Sequence, residues 1–85
     1  MDKHRFFELM GGHSIYEVVS PTHLIEIQVI GKRYVRHELH ARIFPEKQLI
    51  HDVLNDSTRY HELTAEEFRL IEKEITENYT PMQQP

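Results

Sequence analysis

The chain has 85 residues, a formal charge of −4 at neutral pH and no cysteine. That length holds one domain with one core. The missing thiols exclude a disulfide framework, and the acidic balance argues against a dedicated nucleic-acid binder, whose affinity rests on cationic contacts to phosphate.

Met1–Met10 carries Asp2, Lys3, His4, Arg5 and Glu8, so no secretory apolar segment is expected there. Leu24–Ile30, the longest apolar run, is interrupted by Glu26 and Gln28 and is too short to span a bilayer. A cytoplasmic location, with no membrane partner, is the expectation.

Taken in chain order, the first predicted element is a short helix. Asp2 caps it, Phe6, Phe7, Leu9 and Met10 supply apolar surface, and Gly11-Gly12 stops it. Ile15–Val19 is rich in strand formers and leads to a Ser20-Pro21 turn. Leu24–Ile30 alternates, with Ile25, Ile27 and Val29 on one side. Val35, His37, Leu39, Ala41 and Ile43 repeat the alternation beyond Gly31-Lys32-Arg33.

If those three residues form the loop, Val29 faces Val35, Ile27 faces His37 and Ile25 faces Leu39. A two-residue loop would set Ile27 against Arg36 and Ile25 against Glu38. Burial of a single face selects the three-residue loop, although a hairpin loop of that length prefers its glycine last and here it comes first.

Lys47–Leu54 fits two readings. Leu49, Ile50, Val53 and Leu54 have helical spacing behind Pro45. As a strand following a Pro45-Glu46-Lys47 loop, the segment sets Ile43 opposite Leu49, Ala41 opposite His51 and Leu39 opposite Val53. The strand is preferred because it extends the same dry face. Asn55-Asp56-Ser57 then forms a turn before a last strand, Thr58–Glu62.

The C-terminal helix is the clearest local signal. Thr64 and Glu67 make a capping box, and Leu63 and Phe68 occupy the positions of a hydrophobic staple. Glu66 and Glu67 complement the positive end of the helix dipole. Phe68, Ile71, Ile75 and Tyr79 form one apolar stripe, with Arg69, Glu72, Lys73 and Glu77 on the wet side. Pro81 ends the helix near Asn78. The predicted architecture is one α+β domain over residues 1–79: a short N-terminal helix, an antiparallel meander of four to five strands, and a C-terminal helix on the Ile25/Ile27/Val29 face. Residues 80–85 are expected to be a disordered tail.

Seven histidines is a high count for this length. His37-Glu38-Leu39-His40 lacks the four-residue spacing that lets two helical histidines share a zinc ion, and on a strand these two point to opposite faces. His37 and His51 share the dry face of the proposed register, with His61 near. Hydrogen-bonded imidazoles are the preferred reading there; a metal site or a pH switch is the second alternative. His40 and Asp52 would oppose each other on the outer side as a solvated pair. Ser14, Ser20 and Ser57 have no nucleophile-elbow context, and Gly11-Gly12 is no phosphate loop. No catalytic residue, metal or cofactor is predicted, so the chain is not read as an enzyme.

The charge is uneven: Lys32 to Lys47 holds five Lys/Arg against two Glu, and Glu62 to Asn78 holds six Glu against two basic residues. The outer face of the middle hairpin carries Tyr34, Arg36, His40 and Arg42, with Lys32 and Arg33 at the tip. That stripe supports single-stranded nucleic-acid binding as an alternative function, opposed by Glu26 and Glu38 on the same face. A sheet covered on one side only would also expose Leu24, Ile30, Tyr34, Ile50 and Leu54 on the other. The preferred function is therefore that of a non-enzymatic accessory or regulatory protein acting through protein contacts. Tyr34, Arg36, His40, Arg42, Ile50 and Leu54 are its candidate contact residues, and a second copy would cover the open face as a homodimer.

Overall fold

A computed structural model describes residues 4–82. Its architecture is α+β: a six-stranded, mostly antiparallel sheet in the order β5-β1-β2-β3-β4-β6, with one helix on each face.

The first strand, β1 (Arg5–Leu9), stands where a helix was expected, with its proposed cap Asp2 outside the described residues. The reason lies in Phe6 and Phe7. Both are buried, and successive strand residues point to opposite faces; Phe7 enters the core under the first helix and Phe6 the core under the second. Only a strand in a sheet covered on both sides buries adjacent phenylalanines in this way. The turn to β2 (Ser14–Ser20) uses Gly11 at φ +74°, and Gly12 N–H donates to the Leu9 carbonyl at 3.2 Å.

Pro21-Thr22 connects β2 to β3 (His23–Ile30), with a bulge between Val18 and Ser20. The connection from β3 to β4 (Arg33–His40) has two residues, not three: Ile30 pairs with Arg33, Ile27 with Arg36 and Ile25 with Glu38. Gly31 takes φ +63° and Lys32 does not, which is the requirement of a type II′ turn with glycine first. The one-face argument chose the wrong register because the sheet has two dry faces. Ile27 and Val29 pack toward one helix; Leu24 and Leu39 pack toward the other.

Residues 44–55 form a helix, α1 (Phe44–Asn55), where a strand was preferred. Pro45 sits in its first turn, and the Glu46 carboxylate reaches back to accept from Arg42 and Ile43 N–H at 2.9 and 3.3 Å. Those bonds hold the Glu46 carboxyl below its ordinary range. Ile43, the cap residue, contributes no side-chain acceptor, so the carboxylate alone serves this terminus. Leu49, Ile50, Val53 and Leu54 pack onto Phe7, Tyr16, Val18, Leu24 and Tyr60. The buried ring of Tyr16 meets Tyr60 edge-on at 5.6 Å, and burial followed by the nearby Glu26 raises its hydroxyl pKa far above the ordinary value.

Strand β5 (Tyr60–Leu63) returns to pair with β1. It is followed by α2 (Ala65–Asn78), which has the expected box: Glu67 N–H to Thr64 Oγ1 at 3.0 Å, and Thr64 N–H to Glu67 Oε1 at 2.8 Å. Phe68 and Ile75, with Ile71 and Tyr79, lie on Phe6, Ile15, Ile27 and Leu63. Of the expected Ile25/Ile27/Val29 face, Ile27 and Val29 pack in the core under this helix, and Ile25 is not part of it; Val35, Leu39, Leu49 and Val53, expected on the same face, are not under α2. Where a tail without order was expected from Thr80, Thr80–Pro81 form β6, pairing in parallel with Arg33 and Tyr34. Gln83–Pro85 lie outside the described residues.

The two helices cross the sheet on opposite diagonals. α1 leaves the end of β4 and delivers the chain to Tyr60 beside Leu9. α2 leaves Leu63 beside Phe6 and delivers it to Thr80 beside Arg33. On the α2 face, the corner where His23 pairs with His40 therefore lies off the helix path.

Candidate functional site

The six candidate contact residues do not share a surface. Ile50 is 1% exposed in the core beneath α1, and Leu54 packs beside it. Leu24, from the same proposed patch, is buried too. The chain's own α1 covers the face that a second copy was expected to cover. Tyr34 is half-buried beside Val29 under α2, and Arg36 spans to α2, where its Nη1 donates to Glu72 Oε2 at 3.2 Å. Arg42 lies in the linker to α1. The basic stripe is thus interrupted at Tyr34 and Arg36. His37 is exposed on β4 and His51 is exposed on α1, where its Nδ1 lies 4.0 Å from Asp52. His61 is exposed on the edge strand β5. Asp52 faces Gln48 and Arg59, not His40.

Among the described residues, two surface features bear on function. The first is the entry to α1. Ile43 is 60% and Phe44 73% exposed, although the backbone beneath them is firmly held. Ala41 N–H donates to the Thr22 carbonyl at 2.8 Å, the Glu46 carboxylate takes the next two N–H groups, and Pro45 fixes φ. Arg42 and Lys47 flank the pair. An aromatic between cations, carried on a held backbone, offers apolar binding area.

The second is a histidine–glutamate cluster on the uncovered corner. His23 and His40 are direct partners across the ladder, and Glu38 is two residues from His40 on the same strand face. The imidazole rings stack with centroids 4.2 Å apart. Glu38 Oε2 lies 2.6 Å from His23 Nε2 and 3.5 Å from His40 Nε2. A three-residue loop would move His23 out of register with His40, so their meeting follows only from the two-residue turn. A glycine in the first loop position was the signal for the shorter turn.

Next to this corner an ionic chain joins the sheet to α2. Buried Glu17 meets His4 Nδ1 and, at 3.8 Å, Arg69 Nη1; Arg69 and Arg36 both reach Glu72. With partners on both sides, Glu17 is not left as an uncompensated buried charge. The Arg69 contact links β2 to α2.

No helix among the described residues is long and apolar enough to cross a membrane. No family model, curated protein or solved structure matches the chain.

Proposed function

We propose that the protein is a small non-enzymatic accessory protein that works by contact with another protein, anchored by Ile43 and Phe44. The exposure of these two adjacent apolar side chains on a fixed backbone carries the reading. The core on each sheet face is already closed by one of the chain's own helices, and neither residue belongs to it. Burying each against a partner would contribute roughly 1.5–3 kcal/mol. The flanking Arg42 and Lys47 favour a partner whose apolar pocket is rimmed by carboxylates.

The test is affinity capture from the native host with the wild-type chain and an Ile43→Ser/Phe44→Ser variant. A protein retained by the first and lost by the second, at unchanged thermal midpoint, supports the reading. Identical captured sets remove it. Sedimentation of both chains identifies one special occupant: a wild-type dimer that the double substitution returns to monomer would make the partner a second copy.

A further inference from the structure

We infer that His23, Glu38 and His40 form a binding site for a divalent transition metal of the zinc class. This inference is independent of the α1 contact surface. The fold dictates the convergence. Antiparallel pairing places His23 opposite His40, and strand alternation returns Glu38 to the same face two residues earlier. The backbone beneath them is rigid: β3 and β4 pair over eight positions, and the Ala41–Thr22 hydrogen bond continues the ladder past the histidines. Sites built on strands hold their geometry better than sites on loops.

Nitrogen and oxygen ligand atoms from the three side chains all lie within 4.8 Å of one another. In a tetrahedral zinc shell, with bonds of about 2.0–2.2 Å, neighbouring ligand atoms stand roughly 3.3 Å apart. His40 Nε2 is already 3.5 Å from Glu38 Oε2, His23 Nε2 at 2.6 Å needs to open by about 0.7 Å, and the two rings, stacked at 21°, need to turn so that both in-plane lone pairs meet the ion. The side chains have room for that movement, since the corner lies off the path of α2 and Glu38 and His40 are exposed. Two imidazoles with one carboxylate suit zinc, nickel, copper or iron(II) better than magnesium or calcium, which prefer all-oxygen shells. Three protein ligands leave at least one coordination position for water.

A simple cross-strand ion pair is the competing account of the same cluster. It predicts no metal affinity, so calorimetry separates the two. Zinc chloride is titrated into the untagged 85-residue chain. The expected result is one saturable equivalent, with affinity at least about tenfold weaker in His23→Ala and in His40→Ala. His51→Ala and His61→Ala, which alter exposed histidines outside the cluster, leave it unchanged. Circular dichroism establishes that each variant is folded. In parallel, imidazole nitrogen resonances should shift on zinc addition at His23 and His40 and not at His51 or His61. Absence of one-equivalent binding by the wild-type chain overturns the proposal. So does equal weakening by His51→Ala, or undiminished binding in both cluster variants.

Discussion

Ile27 and Arg36 face each other across the β3–β4 ladder: the isoleucine is buried under α2, while the guanidinium reaches Glu72 on that same helix. The pairing is stable because arginine is apolar along its stem and charged only at its head. The stem rises opposite Ile27, and the half-exposed head is ion-paired to Glu72. Arg36→Ala is expected to lose about 1 kcal/mol, summing a partly exposed ion pair and lost packing. Arg36→Met keeps the stem and should lose less than half of that. Urea unfolding of the two variants checks this, and equal losses would assign the effect to charge alone.

The hairpin register depends on Gly31 at φ +63°. A Cβ there would meet nothing within 4 Å, so Gly31→Ala isolates the backbone cost. The expected destabilisation is about 1–2 kcal/mol, the usual penalty for an L-residue in left-handed conformation. A measured change within experimental error in urea would show that the turn relaxes to another type.

Phe68 is 0% exposed at the centre of the α2 core. Phe68→Ala should cost about 3–5 kcal/mol, as large-to-small changes at such sites do. Against a total stability of roughly 5–15 kcal/mol, that leaves a marginal fold. Phe44→Ala should stay within about 0.5 kcal/mol, because an exposed ring loses little on removal. Thermal unfolding of both variants gives the comparison, and a large loss at Phe44 would contradict its proposed role as a contact residue.

Asp56, at the C-terminus of α1, accepts from Thr58 Oγ1, Arg59 Nε and Thr58 N–H. These bonds lower its carboxyl pKa from an ordinary 3.8 to about 2, the Thr58 hydroxyl contributing most. A depressed folded-state pKa stabilises the fold fully above the unfolded value and is lost as pH falls through the folded one. The contribution is therefore present above about pH 4 and disappears toward pH 2. Asp56→Asn should flatten the stability profile in that window; denaturant unfolding at pH 5, 4, 3 and 2 measures it. An unchanged slope would show that the turn does not act through this carboxylate.

Most local signals could be read from the residues, and they failed where two faces had to be distinguished. Thr64, Glu67 and the Phe68/Ile71/Ile75/Tyr79 stripe defined α2 because capping and helical period are properties of neighbouring residues. Phe6-Phe7 and Lys47–Leu54 were misassigned for the opposite reason. Phe6-Phe7 make a strand only when both sides of the sheet are dry, and Ile50 and Val53 make a helix because a second sheet face needs covering. The contact residues inherited that error: Ile50 and Leu54 were placed on an open face that α1 itself occupies.

Composition, the Thr64–Glu67 cap and the alternation of residues 24–30 were enough to determine an α+β domain with a C-terminal helix; of the expected Ile25/Ile27/Val29 face, Ile27 and Val29 lie in the core beneath it. Tertiary structure decided the rest: the two-residue turn, the second covering helix, the docking of Thr80–Pro81 on β4, and the meeting of His23 with His40. The physical reason is that a one-residue change of register reverses every side chain on a strand. A pattern with apolar residues on both faces does not resist that change locally, so long-range packing selects the register, and with it the residues that meet at the surface.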